Sequence, residues 1–202
     1  IPIPVGGNMP EAATWFPVTI YKENHLLSSE EALALQEYSL DLRTKVPSGS
    51  NHWTGKTYAT INTFDLRSDL MFQPLLNRIT KHVNVFAEMH GSKNESYEIS
   101  SSWLNINDKD TFQEFHAHQG NIFSCVYWLA APVGSGDLIF EDPKDPDMLP
   151  VKNISDYNEL SFTRINYEAE ENALLIFRSY LRHMVAPCTN TTPRISIAVN
   201  FN

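Results

Sequence analysis

The spacing of apolar residues changes near residue 95, from helical spacing to the alternation that is typical of strands. Two helices are predicted before that point. The first begins at Ser28-Ser29-Glu30-Glu31, a capping box in which a serine and a glutamate satisfy each other's backbone N–H groups. The second begins between Asp69 and Pro74 and ends at Gly91. The apolar residues expected on the buried helix faces are Leu35, Tyr38, Leu42, Phe72, Leu75, Leu76, Ile79, Val83 and Phe86.

Six short segments with strand-like patterns follow, separated by turn-forming residues. They are residues 97–105, 122–130, 137–141, 160–166, 173–177 and 194–201. Helices followed by many short strands predict a mainly β (α+β) fold, a double-stranded β-helix or jelly roll with the N-terminal helices packed on one sheet. Because no long linker or repeat divides the chain, we expect a single domain, with a helical cover over 1–95 and a jelly-roll core that carries the site over 97–202.

Composition narrows the class of protein. The chain has 202 residues, with 15 Lys plus Arg against 24 Asp plus Glu and a net charge of −9. This acidity argues against a nucleic-acid partner bound by phosphate neutralisation. No stretch approaches the roughly 18 unbroken apolar residues of a membrane helix. Cys125 and Cys188 are too few for a disulfide framework, and we expect them to be reduced thiols of a cytosolic protein.

Three of the seven histidines form a candidate metal site. His116 and His118 precede the strand at 122–130, and i, i+2 spacing at a strand edge points both imidazoles to the same side. His183 follows the strand at 173–177 after a short turn. Alone, the His-x-His pair is a weak signal and would favour two exposed polar residues on a sheet face. The four other histidines are expected at the surface: His25, His52, His82 and His90.

The last predicted strand carries a candidate anion-binding pair. Alternation places Arg194 on the same face as Ser196, Ala198 and Asn200. Burying an unpaired charge is costly, so an inward-facing arginine needs a partner. A guanidinium with a hydroxyl two residues further on is suited to bind a carboxylate. The alternative is a structural Arg–Asp salt bridge.

In this order, the motifs resemble those of the iron(II)- and 2-oxoglutarate-dependent oxygenases. The likeness is greatest to the small, largely uncharacterised members from bacteria and marine phages, and prolyl hydroxylases are more distant relatives. The resemblance covers about residues 97–202. Besides His116-x-His118, its motifs are Ser124-Cys-Val-Tyr-Trp-Leu129, Gly136-Asp-Leu-Ile-Phe-Glu-Asp-Pro143, Phe177-Arg-Ser-Tyr-Leu-Arg-His183-Met-Val-Ala-Pro187 and Arg194-Ile-Ser196.

The resemblance implies roles for five of these residues. His116 and His183 correspond to iron ligands, while Arg194 and Ser196 correspond to the pair that binds the far carboxylate of 2-oxoglutarate. His118 stands where the wider superfamily has Asp or Glu, which implies a site of three neutral imidazoles. We expect Fe(II), although imidazole also suits zinc, copper and nickel.

Two further residues are candidates for contact with 2-oxoglutarate. Trp128 stands where prolyl hydroxylases have a cosubstrate-binding tyrosine, and it is either a wall of the pocket or a core residue. Asn105 corresponds in position to an asparagine that faces the cosubstrate in some members, and a surface position is the alternative. Asn200 is a candidate for contact with the primary substrate.

The implied activity is that of a dioxygenase that consumes O2, decarboxylates 2-oxoglutarate to succinate and hydroxylates an unidentified peptidyl or small-molecule substrate. A bacterial or phage-encoded cytoplasmic protein is expected. Two alternatives stay open: a cupin-like three-histidine metal dioxygenase without 2-oxoglutarate, in which Arg194 holds a substrate carboxylate, and a non-catalytic jelly-roll binding module. The Arg194-x-Ser196 pair favours the first interpretation.

Overall fold

Two antiparallel sheets form the architecture of the computed structural model, which describes residues 13–49, 54–93, 95–144 and 151–202. The larger sheet has the order β1-β8-β5-β10-β3-β2, and the smaller has the order β4-β9-β6-β7. In chain order the strands are β1 (Ile20–Asn24), β2 (Tyr58–Ala59), β3 (Ile99–Asn107), β4 (Gln113–His116), β5 (Phe123–Ala130), β6 (Leu138–Glu141), β7 (Arg164–Tyr167), β8 (Ala173–Arg178), β9 (His183–Val185) and β10 (Arg194–Phe201). Apolar residues of both sheets form a shared core cluster, so the sheets pack face to face as the predicted jelly roll.

The two predicted helices are present and pack on the larger sheet. Helix α1 (Ser29–Lys45) begins with the predicted capping box, in which the Glu31 N–H donates to Ser28 Oγ at 3.2 Å and the Ser28 N–H donates to Glu31 Oε2 at 2.8 Å. Helix α2 (Gln73–Met89) ends two residues before Gly91, whose φ of +83° suits glycine. Apolar faces of both helices join one core cluster with the outward side of the larger sheet.

The helical cover predicted over 1–95 is incomplete, because β1 and β2 also lie in this part of the chain. Strand β1 pairs with β8 at the edge of the sheet, and its Ile-Tyr-Lys-Glu-Asn sequence has little apolar alternation. The strands β2, β4 and β9 have two to four residues, too few for a period to be recognised. The strand predicted at 160–166 begins only at Arg164, because the preceding residues form a turn in which the Phe162 N–H donates to the Asn158 carbonyl.

The inner face of the larger sheet presents side chains in four rows that cross its central strands. The register of β10 with β3 and β5 defines these rows, and the predicted alternation of β10 sets which residues face inward. From one end to the other the rows are Arg194–Asn107, Trp128–Ser196–Asn105, Val126–Ala198–Trp103 and Ser124–Asn200–Ser101. The candidate site lies on this face.

The two cysteines are buried free thiols, as predicted. Cys125 belongs to the cluster between the helices and the larger sheet, while Cys188 belongs to the cluster between the two sheets. Within the described ranges, no helix combines the length and the apolar character needed to span a membrane.

Candidate metal centre

Three histidines from three separate places in the smaller sheet and its loops meet at one point. His116 ends β4 and lies directly opposite His183, the first residue of β9. His118 follows in a loop, where its backbone N–H donates to the Ser179 carbonyl at 3.0 Å. One candidate ligand atom from each ring lies within 4.8 Å of the other two. The structure thus brings together the three predicted histidines, although only His116 of the His-x-His pair is in a strand.

Backbone carbonyls fix the orientation of two of the three imidazoles. His116 Nδ1 lies 2.7 Å from the Glu114 carbonyl, and His183 Nδ1 lies 2.9 Å from the Leu181 carbonyl. Because a carbonyl can only accept, each Nδ1 is the protonated nitrogen and each Nε2 keeps its lone pair for a metal. His118 is held by packing against Trp103, with 5.6 Å between the ring centroids.

Burial keeps these imidazoles neutral. The pKa of His118 is lowered to about 4, first by burial and then by repulsion from His116. Burial also lowers the pKa of His116, and it lowers the pKa of His183 well below its usual value. Since a histidine must be deprotonated to bind a metal, all three are in the ligating form at neutral pH.

Arg194 is a buried cation that pairs with no carboxylate among the described residues. Its side chain is almost completely inaccessible, and its Nη1 donates to Asn107 Oδ1 and to Ser196 Oγ, each at 3.0 Å. Its Nε and Nη2 have no hydrogen-bond partner among the described residues. Burial lowers the pKa of Arg194 to about 10, which leaves it charged at neutral pH. The alternative Arg–Asp salt bridge is not formed within the described part of the chain.

Trp128 and Asn105 flank Ser196 in the second row. Trp128 is fully buried in the core between the sheets rather than in the cavity wall, yet its Nε1 finds no acceptor in the described residues. Asn105 is buried and lines the cavity, so the alternative surface position is wrong. Its Oδ1 accepts a hydrogen bond from Gln113 Nε2 at 3.3 Å.

One cavity of about 230 Å³ contains the three histidines, Arg194 and Ser196. Among the described residues that line it, Arg194 is the one permanent charge. The structure adds Trp103, Asn107 and Gln113 to the predicted site residues. Alternation along β3 from Asn105 would have identified Trp103 and Asn107, whereas Gln113 has no signal in the sequence.

The other histidines lie away from this cavity or cannot be placed. His25 and His90 are exposed, as expected, whereas His82 is partly buried, with its Nδ1 2.9 Å from the Tyr21 hydroxyl. His52 lies outside the described residues.

One family model matches the second half of the chain. Residues 101–200 match the family model described as "Putative 2OG-Fe(II) oxygenase". This span contains the three histidines, Arg194 and Ser196. No curated protein sequence matches the chain significantly.

Solved structures of low sequence identity share the fold. The prolyl-4-hydroxylase of Pseudomonas putida is 13% identical with a TM-score of 0.63, and the match covers 92% of each chain. The epimerase SnoN, in complex with Fe3+, alpha-ketoglutarate and nogalamycin RO, is 16% identical with a TM-score of 0.63, covering 91% of this chain and 78% of SnoN. HygX of Streptomyces hygroscopicus, with nickel, 2-oxoglutarate and hygromycin B bound, is 10% identical with a TM-score of 0.58, covering 92% of this chain and 83% of HygX.

Proposed function

Residues 101–200 match the 2OG-Fe(II) oxygenase family model, and on this premise we propose that the chain is a member of that family, an Fe(II)- and 2-oxoglutarate-dependent dioxygenase that hydroxylates a substrate still to be identified. Membership of the family would make the protein an oxidoreductase. The observation that carries the proposal is the placement of a buried arginine, incompletely paired within the described residues, in the same cavity as three convergent neutral histidines.

His116, His118 and His183 would hold the iron. Imidazole nitrogen is a suitable ligand for non-haem iron, and a set of three leaves coordination positions open. Since His118 replaces the usual carboxylate, the three protein ligands would contribute no negative charge to the metal. A bound anion would therefore neutralise a larger share of the metal's charge than in a site with two histidines and one carboxylate. The solved structures of SnoN and HygX, which share the fold, contain Fe3+ and nickel, respectively.

Arg194 would hold the carboxylate of 2-oxoglutarate that lies farther from the metal. A buried guanidinium is stable only with a matching anion or full hydrogen bonding, and Nε and Nη2 are the donors still to be matched. Ser196 accepts a hydrogen bond from Arg194, so its own O–H can donate to the same carboxylate. Asn105, which lines the cavity, would complete the row beside the cosubstrate. The Trp128 Nε1–H is buried beside Ser196 and lies outside the cavity wall, so it would become a further donor only once cosubstrate binding turns the Trp128 ring toward the cavity.

The chemistry itself would come from the bound groups, since iron and 2-oxoglutarate together supply the oxidising power that converts O2, with decarboxylation to succinate, into substrate hydroxylation. The histidines fix the position of the metal, and Arg194 orients the cosubstrate. Apolar side chains from both sheets, including Val126, Leu138 and Val185, restrict water in the cavity. The described lining residues include no carboxylate, which agrees with a mechanism in which the protein itself supplies no acid or base.

We also propose that the chain acts as one oxygenase-like domain. Helices α1 and α2 share their core cluster with strands of the larger sheet, including Leu104, Tyr127 and Ile197. Removing the helices would expose that apolar face to water, so the jelly roll is not expected to fold without them.

Succinate formation tests the proposed activity. Protein supplied with Fe(II), 2-oxoglutarate and O2 is incubated with a panel of peptides and small molecules, and succinate is measured. We expect succinate from the wild type with at least one member of the panel, none from His183→Ala, and undiminished formation by Arg164→Ala, an exposed-arginine control. Substrate oxidation that proceeds without 2-oxoglutarate would instead support the cupin-like three-histidine alternative.

A further inference from the structure

We infer that the group of the primary substrate that reaches the metal is uncharged and aliphatic, while any charged part of the substrate stays outside the cavity. This inference rests on the proposed function and specifies its substrate class. It follows from the two rows of the inner face that lie beyond Ser196, toward the residue-200 end of β10, and from the size of the cavity.

The row Val126–Ala198–Trp103 makes an apolar wall beside the histidines. Trp103 packs on His118, so this wall lies next to the proposed metal position. Ala59, Ala198 and Trp103 form a small apolar cluster of their own, with Ile61 packed against it. A group that enters here exchanges water for aromatic and methyl surfaces, which is favourable only if the group is apolar.

The last row, Ser124–Asn200–Ser101, is polar, but its polar atoms bind one another. Ser124 Oγ donates to Asn200 Oδ1 at 2.8 Å, and Asn200 Nδ2 donates to Ser101 Oγ at 3.0 Å. Ser124 Oγ also lies 2.8 Å from Ser179 Oγ. Because these groups are neutral and already paired, the row offers no countercharge to an ammonium or a carboxylate.

The cavity is too small to hold a large substrate together with the cosubstrate. Its volume of about 230 Å³ lies below the roughly 300–1,000 Å³ of ordinary ligand pockets. Arg194, the permanent charge of the described lining, is engaged by the cosubstrate in the proposed function. A charged substrate group would therefore lose its hydration without gaining a partner.

Three probes with the same ring and different charge test this inference: cyclopentanol, cyclopentylamine and cyclopentanecarboxylate. Each is added to oxygen-free protein that holds Mn(II) and 2-oxoglutarate, and relaxation of the ring protons by the paramagnetic metal is measured by NMR. Zn(II)-loaded protein gives the diamagnetic baseline. We expect cyclopentanol to bind near the metal at least about tenfold more tightly than either charged probe.

Ile61→Asp adds a carboxylate to the cavity wall and is expected to reverse the ranking in favour of cyclopentylamine by about tenfold. Val133→Asp makes the same charge change at a loop residue that is 98% exposed and should leave the ranking unchanged. The wild-type ranking tests the inference even if the Ile61 variant does not fold.

The inference is overturned if the wild type accelerates relaxation of the ring protons of a charged probe as much as those of cyclopentanol. It is also overturned if the ring protons of cyclopentanol are not relaxed. Calorimetric titration of 2-oxoglutarate into the same preparation distinguishes failure of this inference from failure of the proposed function. Protein that binds 2-oxoglutarate but ranks a charged probe first contradicts only the substrate class. Protein that does not bind 2-oxoglutarate contradicts the proposed function.

Discussion

Trp128 is a core residue with one polar atom that the described part of the fold leaves without an acceptor. Leaving such a donor unpaired costs about 1–3 kcal/mol. We predict that Trp128→Phe, which keeps an aromatic ring but removes the N–H, weakens 2-oxoglutarate binding by about tenfold or more. In the ligand-free protein the same variant should lower the free energy of unfolding only by the cost of the smaller buried ring, because Nε1 has no acceptor there among the described residues.

Calorimetric titration and denaturant unfolding measure these two effects. Trp15→Phe, at a side chain that is 76% exposed, is the matched control and should change neither. Unchanged affinity for 2-oxoglutarate in the Trp128 variant would show that the residue serves packing alone.

The three histidines differ in how firmly they are held, which predicts unequal effects of their removal. The Nδ1 of His183 is bound by a carbonyl and its ring is buried, whereas His118 is held by packing on Trp103. We predict that His183→Ala abolishes binding of a divalent metal, and that His118→Ala weakens it by at least about tenfold. Competition against a chromophoric chelator measures the affinity, with the exposed His90→Ala as control. Unchanged affinity in the His183 variant would rule out this metal site.

At the scale of elements, Glu31 links the first turn of α1 to α2 through an ion pair. Its carboxylate accepts the Ser28 N–H and pairs with Arg78, with Nη2 at 2.6 Å from Oε1. The Arg78 hydrogen bonds, followed by the Ser28 backbone bond, lower the pKa of Glu31 from 4.5 to about 2.

This lowered pKa predicts a pH dependence of stability. Because the folded state binds the proton less tightly, the stabilisation is fully present above pH 4.5 and is lost as the pH falls toward about 2. In Glu31→Gln, the free energy of unfolding should therefore depend less on pH across this window, as denaturant titrations at several pH values would measure. Glu30→Gln, at the exposed neighbouring position, should keep the wild-type slope. An unchanged slope in the Glu31 variant would contradict this assignment.

The elements that the sequence predicts are those whose pattern is complete within one segment. Helix α1 has its capping box, and strand β10 has eight residues of alternation, so both could be predicted. Strand β9 has three residues and exists because it pairs with β4, nearly seventy positions earlier. Pairing at such separation leaves no local period for a sequence to reveal.

The same difference applies to the site. His116, His183 and Arg194 could be predicted because each lies in a recognisable sequence motif: His-x-His, the motif at 177–187 and Arg-x-Ser, respectively. Trp103 shares its face of β3 with Asn105, so alternation alone could have identified it. Gln113 instead joins the cavity through the register of β4 with β9, which brings it beside residues far along the chain. A single sequence does not contain that register.

At the scale of the whole molecule, the helices cover one side of the larger sheet and leave its other side to face the smaller sheet. The interior between the sheets therefore holds both a core cluster and the cavity. This arrangement places a charged guanidinium where water cannot solvate it, at the end of the cavity away from the Ser124–Asn200–Ser101 row. Arg194 is therefore a buried charge that lacks a countercharge in the described part of the chain. Substitution of this residue is the most sensitive test of the proposed cosubstrate site.

Calorimetric titration of 2-oxoglutarate into metal-loaded, oxygen-free protein is the most direct test of the account. We predict that the wild type binds, that Arg194→Ala loses about 3–5 kcal/mol or two to four decades of affinity, and that Ser196→Ala loses less. Metal affinity should be unchanged in both variants, and Arg164→Ala should bind like the wild type. A wild type that ignores 2-oxoglutarate at millimolar concentration, or an Arg194 variant that binds it equally well, would contradict the account.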